Sequence, residues 1–283
     1  MSEFANQAAA ALARLREQRP LIHHITNQGV MNDTANLTLH LGALPVMAHA
    51  VEEVAEMVDQ AGALVLNIGT LTATLVEAMR LAGRRANERG IPIVLDPVGA
   101  GATSFRTQSA LALLEELRIA VVRGNAGEIA ALAGQEGLVR GVDSIAGAGQ
   151  ARALAGQVAR RWDTVVAVTG ARDVISDGQR LLGVDNGHPW LTTVTGTGCM
   201  ATTAVAAFCA IEPDPLLAAT VALACYGLAA ERAAGGIGIA RSLSPAAFGP
   251  ASFRVALLDS VYHLSSQQVA AGVQIVDLAA ERA

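Results

Sequence analysis

Several short segments carry side chains and backbone turns that could do chemistry on an anion. Thr195-Gly196-Thr197-Gly198-Cys199 opens a run of small and apolar residues from Met200 to Ala210. Its glycines allow a tight turn and close approach of the backbone to a ligand. The first N–H groups of a helix starting there lack partners, and with the helix dipole they suit a phosphate. A glycine-rich turn that merely begins a buried helix has the same spacing, and no lysine follows to make a Walker loop. In Leu95-Asp96-Pro97-Val98-Gly99-Ala100-Gly101 a carboxylate ends a buried apolar run. Asp96 can meet Mg²⁺ directly or through water, or simply cap the turn.

Arg123-Gly124-Asn125-Ala126-Gly127-Glu128 follows another apolar run. Asn125 and Glu128 have the spacing of a capping box. Glu128 can at the same time help hold a Mg²⁺–phosphate, and Arg123 can pair with phosphate oxygens. Thr169, before Gly170, offers a hydroxyl to a nucleotide phosphate or to an ordinary turn. Adjacent His23 and His24 point to opposite faces of a strand and make a poor two-ligand metal site. One is expected in the core and the other partly exposed. Asn27 and Gly29, in the loop that follows, are placed to touch a substrate. Met47, ending another apolar run, reads as core from its position alone.

The elements that must position these residues follow from periodicity. Strands are expected at residues 21–25, 44–47, 63–67, 91–96, 120–123 and 164–169. Between them, amphipathic or alanine-rich helices are expected at 28–41, 51–61, 71–88, 104–117 and 147–161, with another starting near Asn125. This alternation predicts an α/β fold with a mostly parallel central sheet covered by helices on both faces. Asp177-Gly178 marks a hairpin between 174–176 and 180–184, hence an antiparallel edge, with a further strand at 190–194. Helices should follow at 197–211, 215–234 and 250–264; beyond about residue 242 there is no motif. With no repeat or linker, residues 1–283 read as a single domain. In such sheets ligands bind beyond the carboxyl ends of the strands. Asp96, Arg123, Glu128, Thr169 and Gly196–Cys199 all fall there. Phosphoryl transfer needs that set: a metal on the triphosphate, a cation on the moving charge and an anion hole.

Composition narrows the classes. Charged residues are 16%, hydrophobic residues 52%, and net charge is −5, which argues against disorder and against nucleic-acid binding. The apolar stretches 201–211 and 216–230 fall short of the ~18–20 residues that span a bilayer. The first twenty residues lack a signal-peptide pattern, so a cytoplasmic protein with no membrane partner is expected. The three cysteines have no metal-ligand spacing; Cys209 and Cys225 sit in apolar runs and read as inert.

Taken in order across residues 20–211, His24-Ile25-Thr26-Asn27-Gln28, the Asp96 segment, the Arg123–Glu128 segment and Thr195–Cys199 resemble the hydroxyethylthiazole kinase family. The resemblance implies a ribokinase-like fold and ATP- and Mg²⁺-dependent phosphorylation of the primary alcohol of 4-methyl-5-(2-hydroxyethyl)thiazole, in thiamine biosynthesis or salvage. It implies that Asp96 and Glu128 hold the metal, that Arg123, Thr169 and Asn125 bind ATP, and that Met47, Gly196 and Asn27 touch the thiazole. Gly196, Thr197, Gly198 and Cys199 would form the catalytic loop. It also implies a homotrimer with active sites between subunits, Met47 and Asn27 coming from one chain and the Gly196 loop from its neighbour. Related sugar kinases usually carry Asp where this chain has Cys199. A thiol at a helix N-terminus can have a lowered pKa and accept the alcohol proton, or it can only shape the pocket. Other readings are a kinase of a pyrimidine or pyridine alcohol and a non-catalytic thiazole- or nucleotide-binding protein. A dinucleotide oxidoreductase lacks its glycine fingerprint here.

Overall fold

The computed structural model describes residues 2–135, 147–236 and 248–280. The strands are β1 (Leu21–Ile25), β2 (Leu44–Val46), β3 (Ala63–Asn67), β4 (Ile93–Asp96), β5 (Val121–Asn125), β6 (Val165–Thr169), β7 (Asp173–Ser176), β8 (Leu181–Val184) and β9 (Ile275–Asp277). They form one sheet in the order β2-β1-β3-β4-β5-β6-β7-β8-β9. From β2 to β6 every pairing is parallel; β7, β8 and β9 pair antiparallel.

The helices are α1 (Glu3–Gln18), α2 (Met31–Leu41), α3 (Val54–Val58), α4 (Ala73–Arg89), α5 (Ser104–Glu116), α6 (Ala126–Leu132), α7 (Gly147–Trp162), α8 (Thr197–Cys209), α9 (Pro215–Ala234), α10 (Pro250–His263) and α11 (Ser266–Gly272). Strand residues alternate between two cores, as the two-residue period of a strand requires. Ala63, Val65, Val94, Val121 and Ala167 join the core under α1, α2, α8, α9 and α10. Leu64, Leu66, Leu95, Val122 and Val166 join the core under α3 to α7. Burial on both faces explains why these strands read as continuous apolar runs. It also corrects the expectation for the histidine pair: His23 and His24 are both fully buried. His23 Nε2 lies 2.8 Å from the Ala48 carbonyl and His24 Nε2 3.2 Å from Thr38 Oγ1.

Local signals set the ends of several helices. Thr72 and Thr103 cap α4 and α5, and Gly42 and Gly90 end α2 and α4 in the left-handed conformation. Residues 190–194 are not the strand expected from their apolar character. Pro189–Thr193 is a 3-10 helix, because Pro189 presets φ and the Thr192 and Thr193 hydroxyls bond back to the Pro189 and Trp190 carbonyls. The helix α9 has 20 residues, longer than its apolar core suggests, and is long and apolar enough to cross a membrane; 83% of its most apolar stretch is buried against the rest of the fold. Past residue 242, where no motif is legible, residues 242–247 lie outside the described set, and α11 and β9 complete the sheet's antiparallel edge.

Candidate active site

A cleft of about 310 Å³ lies at the carboxyl edge of the sheet, lined by Asn27, Val30, Gly69, Asp96, Val98, Arg123, Asn125, Glu128, Thr195, Gly196, Gly198 and Cys199. The loops after β1, β3, β4 and β5 supply one wall and the start of α8 the other. Gly196 is the N-cap of α8 and holds φ +87. A Cβ there would also lie 2.8 Å from Val30 Cγ1. Both facts require glycine. Met200 N is bonded to the Gly196 carbonyl at 2.8 Å. The N–H groups of Thr197, Gly198 and Cys199, before it, have no intrahelical acceptor. With the dipole of a thirteen-residue helix behind them, they form an anion seat.

Arg123 lies over this seat. A Cβ on Gly198 would come within 2.8 Å of its Nη1. Its Nη2 donates to Thr169 Oγ1 at 2.6 Å, and that hydroxyl in turn donates to the Gly124 carbonyl. Thr169 therefore orients the guanidinium from behind and does not line the cleft. Thr197 also faces away: its hydroxyl donates to the Leu191 and Val194 carbonyls.

Asp96 is fully buried at the end of β4. Its Oδ2 accepts from Thr202 Oγ1 and from Asn67 Nδ2, each at 2.8 Å, while Oδ1 has no hydrogen-bond partner. Burial pushes this carboxyl up to about 6, against the pull of the Arg123 charge. Glu128 closes the capping box of α6 with Asn125, as the spacing predicts. Its Oε2 accepts from Asn125 N and its Oε1 from Gly99 N, each at 2.9 Å, which ties the turn after β4 to α6. An orphaned buried carboxylate oxygen with a second carboxylate on the same cleft fits a hard divalent cation such as Mg²⁺. Such an ion keeps waters and substrate oxygens as its other ligands. Among the described residues no group of three or more His, Cys, Asp or Glu could hold a metal.

Cys199 is half-buried beside Asp96 and Asn27. Its thiol is not lowered by the helix start. Burial, and then the Asp96 charge, push it up to about 11, outweighing hydrogen bonds from Asn67 and Asn27. A shift in this direction favours the neutral thiol, and with it the pocket-shaping alternative for Cys199. Asn27 Nδ2 lies 3.4 Å from Cys199 Sγ within one chain, so Asn27 and the Gly196 loop need no neighbouring subunit to meet. Met47 follows β2 and does not line the cleft; its carbonyl contacts the His49 ring.

Three contributors escape the reading by motif. Asn67 ends β3 in register with Asp96, the same strand-end position that singles out Asp96. Arg106 on α5 donates to the Ile68, Gly69 and Val98 carbonyls and staples the loops after β3 and β4 together. Tyr226 on α9 donates from its hydroxyl to the Thr197 carbonyl at 3.0 Å, bracing the start of α8 from inside the core.

Comparison with known proteins accords with this geometry. The sequence model of the hydroxyethylthiazole kinase family matches residues 12–267. A hydroxyethylthiazole kinase from Chloroflexus aggregans is 60% identical over 279 residues, covering 99% of this chain and 97% of the relative. The structure of the hydroxyethylthiazole kinase protein from Pyrococcus horikoshii OT3 superposes with a TM-score of 0.86 at 46% identity, covering 96% of this chain and 99% of that one. A ribokinase-like superfamily protein from Enterococcus faecalis V583 shares the fold, with a TM-score of 0.60 at 12% identity over 87% of each chain.

Proposed function

The chain belongs to the hydroxyethylthiazole kinase family, and from that membership we propose how its cleft carries the reaction. The reaction is transfer of the γ-phosphoryl group of ATP to the primary alcohol of 4-methyl-5-(2-hydroxyethyl)thiazole, a step of thiamine biosynthesis. The alcohol oxygen forms a bond to phosphorus, the bond to the leaving ADP oxygen breaks, and the alcohol proton is released to solvent water.

In this reading the N–H groups of Thr197, Gly198 and Cys199 receive the moving phosphoryl oxygens. They are fixed before substrate arrives, so no reorganisation is needed as charge develops. Arg123, held by Thr169, adds positive charge on the nucleotide side, and Asn125 lines that side. Asp96 and Glu128 would hold Mg²⁺, which when bound neutralises charge on the phosphate oxygens. Asn27 and Gly196 bound the alcohol's place beside Cys199. The neutral Cys199 thiol shapes that place; a loose phosphoryl-transfer transition state needs little help from a base. The observation that carries the reading is the meeting, in one cleft, of the α8 N-terminus, Arg123 and the orphaned oxygen of Asp96.

Residues 1–283 act as one kinase domain in this proposal, and three chains associate. Leu39, Leu44 and Tyr262 support association: they are exposed large apolar side chains on α2, β2 and α10, and β2 is an edge strand. Met47, beside β2 and outside its own chain's cleft lining, would complete the site of a neighbour in such an assembly.

The test is ADP release by the purified protein with ATP and Mg²⁺, with the thiazole alcohol and, separately, with pyrimidine and pyridine alcohols and sugars. Stimulation by the thiazole alone is expected. Stimulation by another alcohol only would overturn the substrate, and no turnover with any would overturn the reaction.

A further inference from the structure

We propose that Asn67 is a positioning residue for the transfer, setting the orientation of Asn27 and Cys199 from the Asp96 carboxylate; this rests on the cleft being the phosphoryl-transfer site. Asn67 is 1% exposed and sits between two chemistry-bearing strand ends. Its Nδ2 donates to Asp96 Oδ2 at 2.8 Å. Its Oδ1 accepts from Asn27 Nδ2 and from Gly69 N, each at 2.9 Å. Asn27 Nδ2 then reaches Cys199 Sγ at 3.4 Å, beside a direct hydrogen bond between Asn67 and that thiol.

The direction of this chain of bonds is not arbitrary. An ionised carboxylate only accepts, so Asn67 must turn its NH₂ toward Asp96. Its oxygen must then face the other way, and Asn27 must answer with its own NH₂. The second proton of that NH₂ points at the Cys199 sulfur. Turning over either amide would set oxygen against oxygen or NH₂ against NH₂ in a buried place, losing bonds and leaving polar atoms unpaired. Asp96, on the metal side of the cleft, and Cys199, on the alcohol side, are thereby locked into one arrangement. Asn67 touches neither substrate in this scheme and acts only through its neighbours. A bland structural role would cost stability without coupling specifically to Asn27.

The experiment is a double-mutant cycle on the full chain, with kcat and the KM for each substrate measured by ADP release and thermal melting recorded for every variant. Asn67→Ala is expected to lower kcat on the order of 10- to 100-fold, the scale of a misplaced reacting group, with the ATP KM changed less than about threefold. Adding Asn67→Ala to Asn27→Ala should cost clearly less than Asn67→Ala costs alone, because the two residues share the bond that links them to Cys199. Asn67→Asp keeps the side chain's shape and its acceptor for Asn27 but replaces the donor to Asp96, and should lose kcat like the alanine variant. Additive losses, or an effect confined to the ATP KM, would overturn the proposal. So would a wild-type kcat in Asn67→Asp. If Asn67→Ala does not fold, the cycle is run with Asn67→Ser. If that variant also fails to fold, the residue is structural and the proposal falls. A wild type inert toward every alcohol overturns the reaction and the proposal together, whereas an active wild type with additive variants overturns the role of Asn67 alone.

Discussion

A cysteine at a helix start beside a buried carboxylate feels opposing influences, and the structure says which prevails. For Cys199, burial and the Asp96 charge outweigh the amide donors and hold the thiol near 11. Raised above its ordinary value, the group stays protonated through neutral pH and becomes a thiolate only as pH rises. Alkylation of metal-free protein by iodoacetamide, read at the Cys199 peptide by mass spectrometry, is therefore expected to be slow at pH 7.5. Its rate should climb about tenfold per pH unit up to about pH 10. A rate already level between pH 8 and pH 9 would put the thiolate back in play. At this scale the sequence is legible where chemistry coincides with a turn signal: Asp96 before a proline and glycines, Asn125 and Glu128 at capping-box spacing, Gly196 and Gly198 around Thr197. It is silent where a role comes from a lateral neighbour. Asn67 looks like any polar residue ending a strand, and only the pairing with β4 sets it against Asp96. Thr202 and Tyr226 lie inside apolar helices, and their partners at Asp96 and Thr197 are far away in the chain.

Among the elements, α8 does the most with the least side-chain chemistry. Its start depends on one left-handed residue and on the space that residue leaves empty. Gly196→Ala places a methyl against Val30 in a conformation that costs an L-residue roughly 1–2 kcal/mol. The expected result is a modest fall in melting temperature with kcat/KM lower on the order of 100-fold, since displaced N–H donors lose their aim. A melting shift with unchanged kinetics would remove the α8 N-terminus from the reaction. Short apolar runs made the six parallel strands readable, because burial on both faces leaves them continuously apolar and flanked by helices. That reading misled at Pro189–Thr193, where proline and backbone-seeking threonines override apolar content. It missed β9, three residues long, whose pairing with β8 is decided by tertiary contact and not by its own sequence.

For the molecule as a whole, the proposed trimer is the feature least written in local pattern: it rests on family resemblance, with the exposed apolar side chains Leu39, Leu44 and Tyr262 on α2, β2 and α10 as support. Light scattering is expected to return three chain masses for the wild type and a smaller species for Leu44→Lys, which puts a charge on the edge strand. A monomeric wild type would overturn the trimer. Chain order carries a different consequence. Among the described residues the outer partner of β8 is β9, and Asn186 near β8 bonds the Gly272 carbonyl and Gln274 N beside it. On a ribosome, β8 emerges long before the segment that covers it. Until β9 is made, β8 presents a row of unpaired backbone groups, a template for any other extended chain. The late arrival of β9 thus sets how long the β8 edge stays open to strangers during synthesis.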